Sequence, residues 1–309
     1  MPFLQLSMSC KLDDFMPLES ALESVGALAV TMSDAHLDAA DEQAIFEPGV
    51  GETPLWNEMQ LQALFPGDSD AEAIRAALAT AEPSLDFSGA TFEVIEDQDW
   101  ERAWMDQYEP LQFGRRTWIV PWNAELPAAA AEQGEEAAVI RLDPGLAFGS
   151  GTHPTTALCL SWLDGLADRG LLNGQPVLDF GCGSGILALA ALRLGAASAV
   201  GVDNDPQAVT ATADNAERNG LDSSLMVYLP EQEPSGVEYP VVVANILAKA
   251  LVELNAVIGS RVAPGGVIAM SGILKGQEDE VIAAYDDRFT DFATTQLEDW
   301  MLVTAVRRG

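Results

Sequence analysis

The sequence predicts an α/β protein whose larger part is a doubly wound, mostly parallel sheet, preceded by a small α+β domain. Three observations carry this prediction. A short apolar run leads into glycines at positions 181, 183 and 185, and an alanine- and leucine-rich helix follows directly. From there to residue 285 predicted strands and helices alternate, which is typical of parallel sheets. The last two predicted strands have no helix between them, so they should form an antiparallel hairpin at the sheet edge.

Residues 1–97 are predicted to form the small domain, with the element order βαββαβ of a ferredoxin-like sandwich. The segment 3–8 alternates apolar and polar side chains as a strand does, and 18–24 carries apolar residues at helical spacing. The other predicted elements are strands over 27–32, 56–65 and 91–95 and a helix over 71–78.

A linker helix over 98–110 is predicted to follow this domain. Trp100, Trp104 and Tyr108 recur at intervals of four residues, so they lie on one face of that helix. Core packing is the favoured role for this aromatic stripe, and stacking on a ligand is the alternative.

The second domain is predicted to span residues 111–309. It should begin with two strands, over 118–122 and 138–142, separated by an alanine- and glutamate-rich loop. The parallel sheet then follows, with strands over 176–180, 198–203, 224–229, 240–244 and 267–271, helices over 186–194, 206–219, 247–262 and 277–285, and a terminal hairpin over 290–296 and 300–306. Ligands of such sheets bind outside the carboxyl ends of the strands, so site residues are expected there.

The spacing of the glycine turn indicates its ligand. A dinucleotide-binding turn has the pattern G-x-G-x-x-G and cradles a pyrophosphate. This turn is D-x-G-x-G-x-G, in which Asp179 precedes Gly181 and Gly183. A carboxylate repels phosphate but suits a cation, and S-adenosylmethionine carries an ammonium and a sulfonium and no phosphate. The turn therefore predicts S-adenosylmethionine as the cofactor, with these three residues as candidate contacts.

Asp203 is a further candidate for the cofactor site. It follows the next predicted strand and lies 22 residues after Gly181, near the offset at which an acidic side chain binds ribose hydroxyls. The alternative is that it only caps the next helix. The pair Asp205-Pro206 suits the N-cap and first helical positions, which leaves Asp203 available for ligand binding.

The segment 143–156 is predicted to form a wall of the site. It contains three glycines after Pro144, three threonines and a histidine just before a helix, and such residues allow close backbone approach and adaptable hydrogen bonds. Phe148, Gly149 and Thr156 are the candidate cofactor contacts in this segment. His153 is a possible base, but a structural or orienting role is favoured for a lone histidine. The alternative for the whole segment is a tight connection with an ordinary N-cap.

Asn245 ends a buried strand, where its side chain should face the ligand crevice. Its amide oxygen can accept a hydrogen bond from an incoming amine while its NH2 group donates elsewhere. A helix N-cap is the alternative role, since a predicted helix follows.

The charge of the chain is extreme, with 48 acidic and 15 basic residues and a net charge of −33. Residues 1–97 alone hold 19 acidic and two basic residues. Such a field disfavours direct nucleic-acid binding and favours a basic partner; adaptation of the whole surface to high salt is the alternative explanation.

Cys10, Cys159 and Cys182 have no paired spacing, and only two histidines occur, so reduced thiols, a cytoplasmic location and no structural zinc are expected. The N-terminus is apolar only briefly, which predicts no signal peptide, and no apolar run has membrane-spanning length.

Five segments together give a more specific resemblance: DPGLAFGSGTHPTT, LDFGCGSGILALAA, GVDNDP, NAERNG and VVANILA. They closely resemble the ribosomal protein L11 methyltransferase family of class I methyltransferases. The resemblance covers most of residues 98–275, and the N-terminal part matches the family's small substrate-recognition domain in size and element order. Ser150 stands where relatives more often have threonine, and the hydroxyl is retained.

The resemblance implies methyl transfer from S-adenosylmethionine to amino groups of ribosomal protein L11. It places cofactor contacts on Thr156, Gly181, Asp203 and Asn245, and we expect Asn245 to be the catalytic residue. The segment 245–248 departs from the N-P-P-Y of glutamine and adenine methyltransferases, which disfavours a release factor or DNA as substrate. Three alternatives stay open: another protein or a small amine as substrate, an NAD-dependent oxidoreductase, and a non-catalytic cofactor-binding protein.

Overall fold

The computed structural model of the chain describes residues 2–36, 55–95, 109–143 and 153–309. The chain divides into two compact units, Met1–Trp100 and Glu101–Gly309. The predicted linker helix over 98–110 lies almost wholly outside the described residues, as do Trp100, Trp104 and Tyr108. No helix in the described ranges is both long and apolar enough to cross a membrane.

The N-terminal unit has the predicted ferredoxin-like fold. A four-stranded antiparallel sheet has the order β2-β3-β1-β4. Its elements are β1 (Phe3–Lys11), α1 (Leu12–Ser24), β2 (Ala29–Asp34), β3 (Glu58–Pro66), α2 (Ala71–Ala81) and β4 (Thr91–Ile95). Alternation along β1 buries Leu4, Leu6 and Met8 against the helices, as its sequence pattern requires.

Helix α1 begins six residues before the predicted start at Leu18. Pro17 lies inside α1, although a proline cannot donate a helical hydrogen bond. The extra turn buries Phe15 in the same core as Leu18 and Leu22, and this burial outweighs the hydrogen bond that the proline cannot make.

A three-stranded sheet opens the second unit. It consists of β5 (Leu111–Phe113), β6 (Thr117–Val120) and β7 (Ala138–Arg141), with β6 and β7 parallel. The predicted loop between β6 and β7 is wrong in part, because Ala128–Gln133 forms a helix, α3, followed by a 3₁₀ turn. Consecutive alanines are the strongest helix formers, and that preference decides the local structure here.

The main sheet has seven strands in the order β10-β9-β8-β11-β12-β14-β13. Its strands are β8 (Pro176–Phe180), β9 (Ser198–Val202), β10 (Leu225–Tyr228), β11 (Tyr239–Asn245), β12 (Val262–Leu274), β13 (Phe289–Leu297) and β14 (Trp300–Arg307). The first five strands in the sheet order pair in parallel, and β13 and β14 form the predicted antiparallel hairpin at the edge.

Helices cover both faces of this sheet. They are α4 (Pro154–Asp168), α5 (Ile186–Arg193), α6 (Pro206–Arg218), α7 (Ala248–Glu253), α8 (Asn255–Arg261) and α9 (Glu278–Tyr285). Val241 and Val243 of β11 pack with α4 and α5 on one face, and Val242 and Ala244 pack with α7, α8 and α9 on the other. A strand buried on both faces needs a continuous apolar sequence, which β11 has.

The predicted helix over 247–262 is two helices, α7 and α8. Asn255 Nδ2 donates a hydrogen bond to the Val252 carbonyl oxygen over 2.6 Å, which competes with the helical backbone at this point. The chain then enters β12 at Val262, earlier than the predicted start at 267.

Asp164 of α4 connects the helix to the β5-β6 hairpin. Its fully buried carboxylate accepts hydrogen bonds from the backbone N–H groups of Arg115, Arg116 and Thr117, each 2.9 Å long, and from the Thr117 hydroxyl at 2.8 Å. These four donors satisfy the buried carboxylate without a hydrogen bond from a basic side chain. The same hydrogen bonds attach the β5-β6 hairpin to α4, which packs on the main sheet.

Candidate active site

The glycine turn between β8 and α5 has a left-handed backbone at alternate positions. The φ angles of Gly181, Gly183 and Gly185 are 78°, 53° and 79°, a region that side-chain-bearing residues rarely adopt. The N–H groups of Gly181 and Cys182 donate to the Val202 carbonyl oxygen over 2.7 and 3.1 Å, so the turn is fastened to the end of β9. The glycines therefore bring bare backbone to the carboxyl edge of the sheet.

Ile246 lies between two glycines of the neighbouring strands. A Cβ atom on Gly181 would stand 2.3 Å from Ile246 Cγ2, and a Cβ on Gly272 would stand 2.2 Å from the Ile246 carbonyl oxygen. Real Cβ atoms essentially never come so close to another heavy atom, so Ile246 fits between these two segments only because both positions are glycine.

Asp203 lies beside the glycine turn at the end of β9. Its Oδ2 accepts a hydrogen bond from the Gly183 N–H over 2.9 Å, and its Oδ1 accepts one from the Asp205 N–H over 3.0 Å. The N-cap of α6 is Asp205, whose Oδ1 accepts from the Gln207 N–H over 2.8 Å. Asp205 therefore caps the helix, and Asp203 lines the cleft.

Asp179 lies beneath the turn and is not among the residues that line the cleft. Its side chain is fully buried, and Oδ2 accepts a hydrogen bond from the Ala188 N–H in the first turn of α5 over 3.0 Å. Its Oδ1 has no hydrogen-bond partner in the described part of the chain. Burial raises the pKa of Asp179 to about 7, and the nearby Asp203 charge contributes to the rise. This placement favours a role in holding the turn over the predicted contact with the cofactor.

Thr156 and Asn245 meet across the site. Thr156 is fully buried in the first turn of α4, and its Oγ1 accepts a hydrogen bond from Asn245 Nδ2 over 3.4 Å. The donor is therefore the amide NH2, and the amide oxygen of Asn245 accepts nothing within the described ranges. With the NH2 group bonded to Thr156, the amide oxygen is available to accept a hydrogen bond from an amine substrate.

His153 is the N-cap of α4. Its Nδ1 accepts a hydrogen bond from the Thr155 N–H over 3.3 Å and lies 2.8 Å from the Thr155 hydroxyl. The ring also packs edge-on against Trp300, with centroids 4.7 Å apart, and burial lowers the pKa of His153. The geometry thus gives the histidine an orienting role.

Two cavities share Asn245, Ile246 and Leu247. The larger is a cleft of 680 Å³, also lined by Thr156, Gly181, Gly183, Asp203, Glu233 and Arg261. The smaller is a pocket of 270 Å³, also lined by His153, Thr155, Gly272 and Trp300. Asn245 therefore stands at the boundary between a space large enough for a nucleoside derivative and a narrow, largely apolar one.

The family model described as ribosomal protein L11 methyltransferase (PrmA) matches residues 2–308 of the chain. The chain belongs to this family. The family resemblance found in the sequence is thus confirmed over nearly the whole length.

Relatives support the same family at high identity. The ribosomal protein L11 methyltransferases of Stenotrophomonas maltophilia strain R551-3 and Xanthomonas euvesicatoria pv. vesicatoria are 64% and 60% identical to this chain, with full coverage of both sequences. The crystal structure of a ribosomal protein L11 methylase from Lactobacillus delbrueckii subsp. bulgaricus is 31% identical. It covers 65% of this chain and 100% of its own, with a TM-score of 0.55.

The chain is therefore an S-adenosylmethionine-dependent methyltransferase, and its residues fit that cofactor. Gly181 and Gly183 line the cleft and carry no side chain, so a ligand can approach their backbone closely. The carboxylate of Asp203 lines the cleft at the end of β9, where it could accept hydrogen bonds from a diol, and the cleft volume lies within the usual range for small ligands. Phe148 and Gly149, also predicted cofactor contacts, lie outside the described residues.

The methyltransferase site contains residues that the sequence analysis missed. Glu233 and Arg261 pair over 2.5 Å in the wall of the cleft, and Glu233 Oε1 has no hydrogen-bond partner among the described residues. Trp300 closes the small pocket. Glu233 and Arg261 are 28 residues apart and flank β11, and no local pattern in the sequence links them.

The contact at Gly272 can be tested by Gly272→Ala. We expect the variant to lose at least about 2 kcal/mol of unfolding free energy, because the new methyl group must displace the Ile246 backbone. Gly276→Ala is the matched control, since Gly276 is also left-handed, with φ 97°, but has nothing within 4 Å. The control should lose only the backbone term of about 1 kcal/mol. Urea unfolding of both variants measures the difference. Equal losses of unfolding free energy would contradict the close packing of Gly272 against Ile246.

The buried carboxyl group predicts a pH dependence of stability. The folded chain keeps a proton on Asp179 up to about pH 7, whereas the unfolded chain loses it near the ordinary value of 3.8. The contribution of Asp179 therefore falls as pH rises from about 4 to 7, by about 2–4 kcal/mol. Asp179→Asn keeps an acceptor for the Ala188 N–H but has no titrating group at this position, so its unfolding free energy should not show this decrease with pH. The difference in unfolding free energy between variant and unaltered chain should grow in favour of the variant across this window. A difference that stays constant with pH would show that Asp179 is ionised throughout.

Proposed function

We propose that this chain transfers methyl groups from S-adenosylmethionine to amino groups of ribosomal protein L11, with Asn245 orienting the acceptor amine. One observation carries the proposal: Asn245 lies on the boundary of the two cavities, with its NH2 group bonded to Thr156. The substrate is the one that names the relatives, which match the chain at up to 64% identity over its full length.

The large cleft holds the cofactor in this proposal. Asp203 would bind the ribose hydroxyls, the backbone at Gly181 and Gly183 would lie against the ligand, and Thr156 would contribute its hydroxyl. Phe148 and Gly149 are proposed as further cofactor contacts. When bound, S-adenosylmethionine supplies a methyl carbon that its positive sulfur has already activated. The chain therefore needs to create no electrophile, and alignment of the reacting groups is its main contribution.

The small pocket receives the amine. A lysine side chain has an unperturbed pKa of about 10.4 and must arrive at the reaction neutral. Ile246, Leu247 and Trp300 give the pocket apolar walls, which lower the pKa of an entering ammonium by desolvation. The amide oxygen of Asn245 then accepts a hydrogen bond from one N–H of the neutral amine. This bond directs the lone pair of the amine nitrogen toward the cleft. Because the amine is neutral in the pocket, no dedicated base is required in this proposal, and His153 Nδ1 lies 2.8 Å from the Thr155 hydroxyl.

The N-terminal domain, residues 1–97, recognises the protein substrate in this proposal. With 19 acidic and two basic residues it complements a basic ribosomal protein and repels RNA, so we propose no direct nucleic-acid contact. The reaction takes place in the cytoplasm, where Cys10, Cys159 and Cys182 stay reduced; all three are buried and free.

Substitution of Asn245 should mainly lower the turnover number, whereas substitution of Asp203 should mainly weaken cofactor binding. Asn245→Ala is expected to lower kcat by about 100-fold, because it removes the group that orients the amine. Asn245 also lines the cofactor cleft, but it is uncharged, so its loss should weaken cofactor binding less than the loss of Asp203 does. Asp203→Ala should weaken cofactor binding by about tenfold or more, because it removes a charged hydrogen-bond acceptor. Steady-state methylation of purified L11 and calorimetric titration of the cofactor separate the two effects. An Asn245→Ala enzyme with normal turnover would rule out the proposed role of that residue.

The substrate assignment has a separate test. A chain lacking residues 1–97 should still bind the cofactor but should no longer methylate intact L11, because the recognition surface is gone. Calorimetry and mass spectrometry of L11 measure the two properties. Methylation of L11 at the normal rate by the shortened chain would disprove the role of this domain. Unmodified L11 in the ribosomes of a strain without the enzyme would support the substrate itself.

A further inference from the structure

A second cleft, of 400 Å³, lies at the end of the main sheet remote from the cofactor cleft. It is lined by Trp122, Val139, Arg141, Arg193, Arg218 and Asn219, among others. Arg193 and Arg218 stand in the last turns of α5 and α6, whose first turns follow the glycine turn and Asp203. At 1.5 Å per residue these helices carry the two arginines about 12 and 20 Å away from the cofactor edge.

The charge of this cleft is opposite to that of the molecule. Three of the twelve arginines of a chain with net charge −33 line it, and none of the lining residues that the structure describes is acidic. Among the described residues, Asp143 is the carboxylate that forms an ion pair with one of them, with its Oδ2 3.2 Å from Arg218 Nη2. The cleft therefore holds two positive charges more than this carboxylate neutralises, and their mutual repulsion favours a bound anion.

The arginines are held in place without using all their donors. Arg141 Nη1 donates to the carbonyl oxygens of Pro121 and Ala124 over 2.9 and 2.6 Å, and Arg193 Nη2 donates to the Asn219 carbonyl oxygen over 2.6 Å. Each guanidinium has five N–H donors, so these contacts leave donors on both for a ligand. The site is positioned before any ligand arrives, which lowers the entropic cost of binding.

Trp122 forms the aromatic wall. The Arg218 guanidinium lies 4.5 Å from the centre of its ring, a cation–π contact that fixes the orientation of the arginine. The indole Nε1 of Trp122 is buried and has no hydrogen-bond partner in the part of the chain that the structure describes. Asn219 bonds both the N–H and the carbonyl oxygen of Arg141 over 2.9 and 2.8 Å, which ties the end of α6 to β7.

We propose that this cleft is a binding site for a small phosphate-bearing anion, either inorganic phosphate or a phosphomonoester. Several fixed guanidinium groups are the usual partners of phosphate oxygens, and a volume of 400 Å³ admits a phosphate with a small attached group. A nucleic acid is disfavoured, because a long polyanion would have to approach the net charge of −33, whereas a single phosphate is exposed mainly to the local arginines.

Calorimetric titration of the full-length protein with inorganic phosphate and with phosphoserine tests the proposal. Arg218→Gln should weaken binding by about tenfold, because it removes a charge-assisted donor. Arg169→Gln is the matched control; this exposed arginine lies outside the cleft and should leave the affinity unchanged.

Asp143→Asn gives a test that loss of stability cannot imitate. In the folded protein Asp143 Oδ1 accepts a hydrogen bond from the backbone N–H of Trp122 over 2.9 Å, and the asparagine oxygen can still accept it. The negative charge that competes with phosphate for the arginines is gone. Phosphate should therefore bind about fivefold more tightly to this variant. Thermal unfolding with and without phosphate confirms that each variant is folded.

Several results would overturn the proposal. One is the absence of binding by either phosphate compound, and another is equal weakening by Arg218→Gln and Arg169→Gln, which would indicate general charge screening. Unchanged or weaker binding to Asp143→Asn would do the same. Binding of an oligoribonucleotide in the absence of binding by both small phosphates would assign the cleft to RNA instead. Tighter binding of phosphoserine than of inorganic phosphate would identify a phosphomonoester as the ligand.

Discussion

The active site depends on the steric confinement of Ile246 between Gly181 and Gly272. These glycines belong to the segments that end β8 and β12, the two neighbours of β11, and both have a left-handed backbone. Neither could carry a side chain without moving Ile246. Asn245, directly before Ile246, is thereby fixed in position on the boundary of both cavities, although its only side-chain hydrogen bond within the described residues is a long one of 3.4 Å to Thr156. The close approach of Ile246 to both glycines and the pairing of Asn245 with Ser271 of β12 position the backbone of the residue that the proposed reaction requires.

Two carboxylates near the glycine turn lie in different environments and therefore have different roles. Asp203 lies in the cleft wall and accepts two backbone N–H groups, whereas Asp179 is sealed beneath the turn with one. Burial raises the pKa of Asp179 to about 7, so near neutral pH much of its population is uncharged. A neutral carboxyl group in that position holds the turn without adding a second negative charge under a ligand site that already contains Asp203.

Charge is distributed unevenly over the molecule, and the two ends of the main sheet differ in kind. The carboxyl end presents glycines, an amide, Asp203 and the ion pair of Glu233 and Arg261, a set with a net negative charge that suits a cationic ligand. The cleft at the other end presents Arg141, Arg193 and Arg218. The same helices, α5 and α6, connect the two ends, beginning at the glycine turn and at Asp205 and ending at Arg193 and Arg218. Acidic groups near helix N-termini and arginines near C-termini both match the helix dipoles, so the fold itself favours this polarity.

Local sequence patterns by themselves determined the ferredoxin-like unit, the parallel sheet with its terminal hairpin, and the family. Alternation, glycine spacing and capping residues act over a few positions, so they can be found along the chain. They were wrong about the start of α1, where burial of Phe15 outweighed the local pattern, and at Asn255, where a side-chain hydrogen bond did so. They were also wrong about the loop before β7, where the helix preference of consecutive alanines produces α3. Only the tertiary structure decided that Asp179 lies under the turn, that Glu233 pairs with Arg261, and that distant arginines share one cleft. Those facts depend on which side chains the packed strands and helices bring together and exclude from water, and burial of that kind has no period in the sequence.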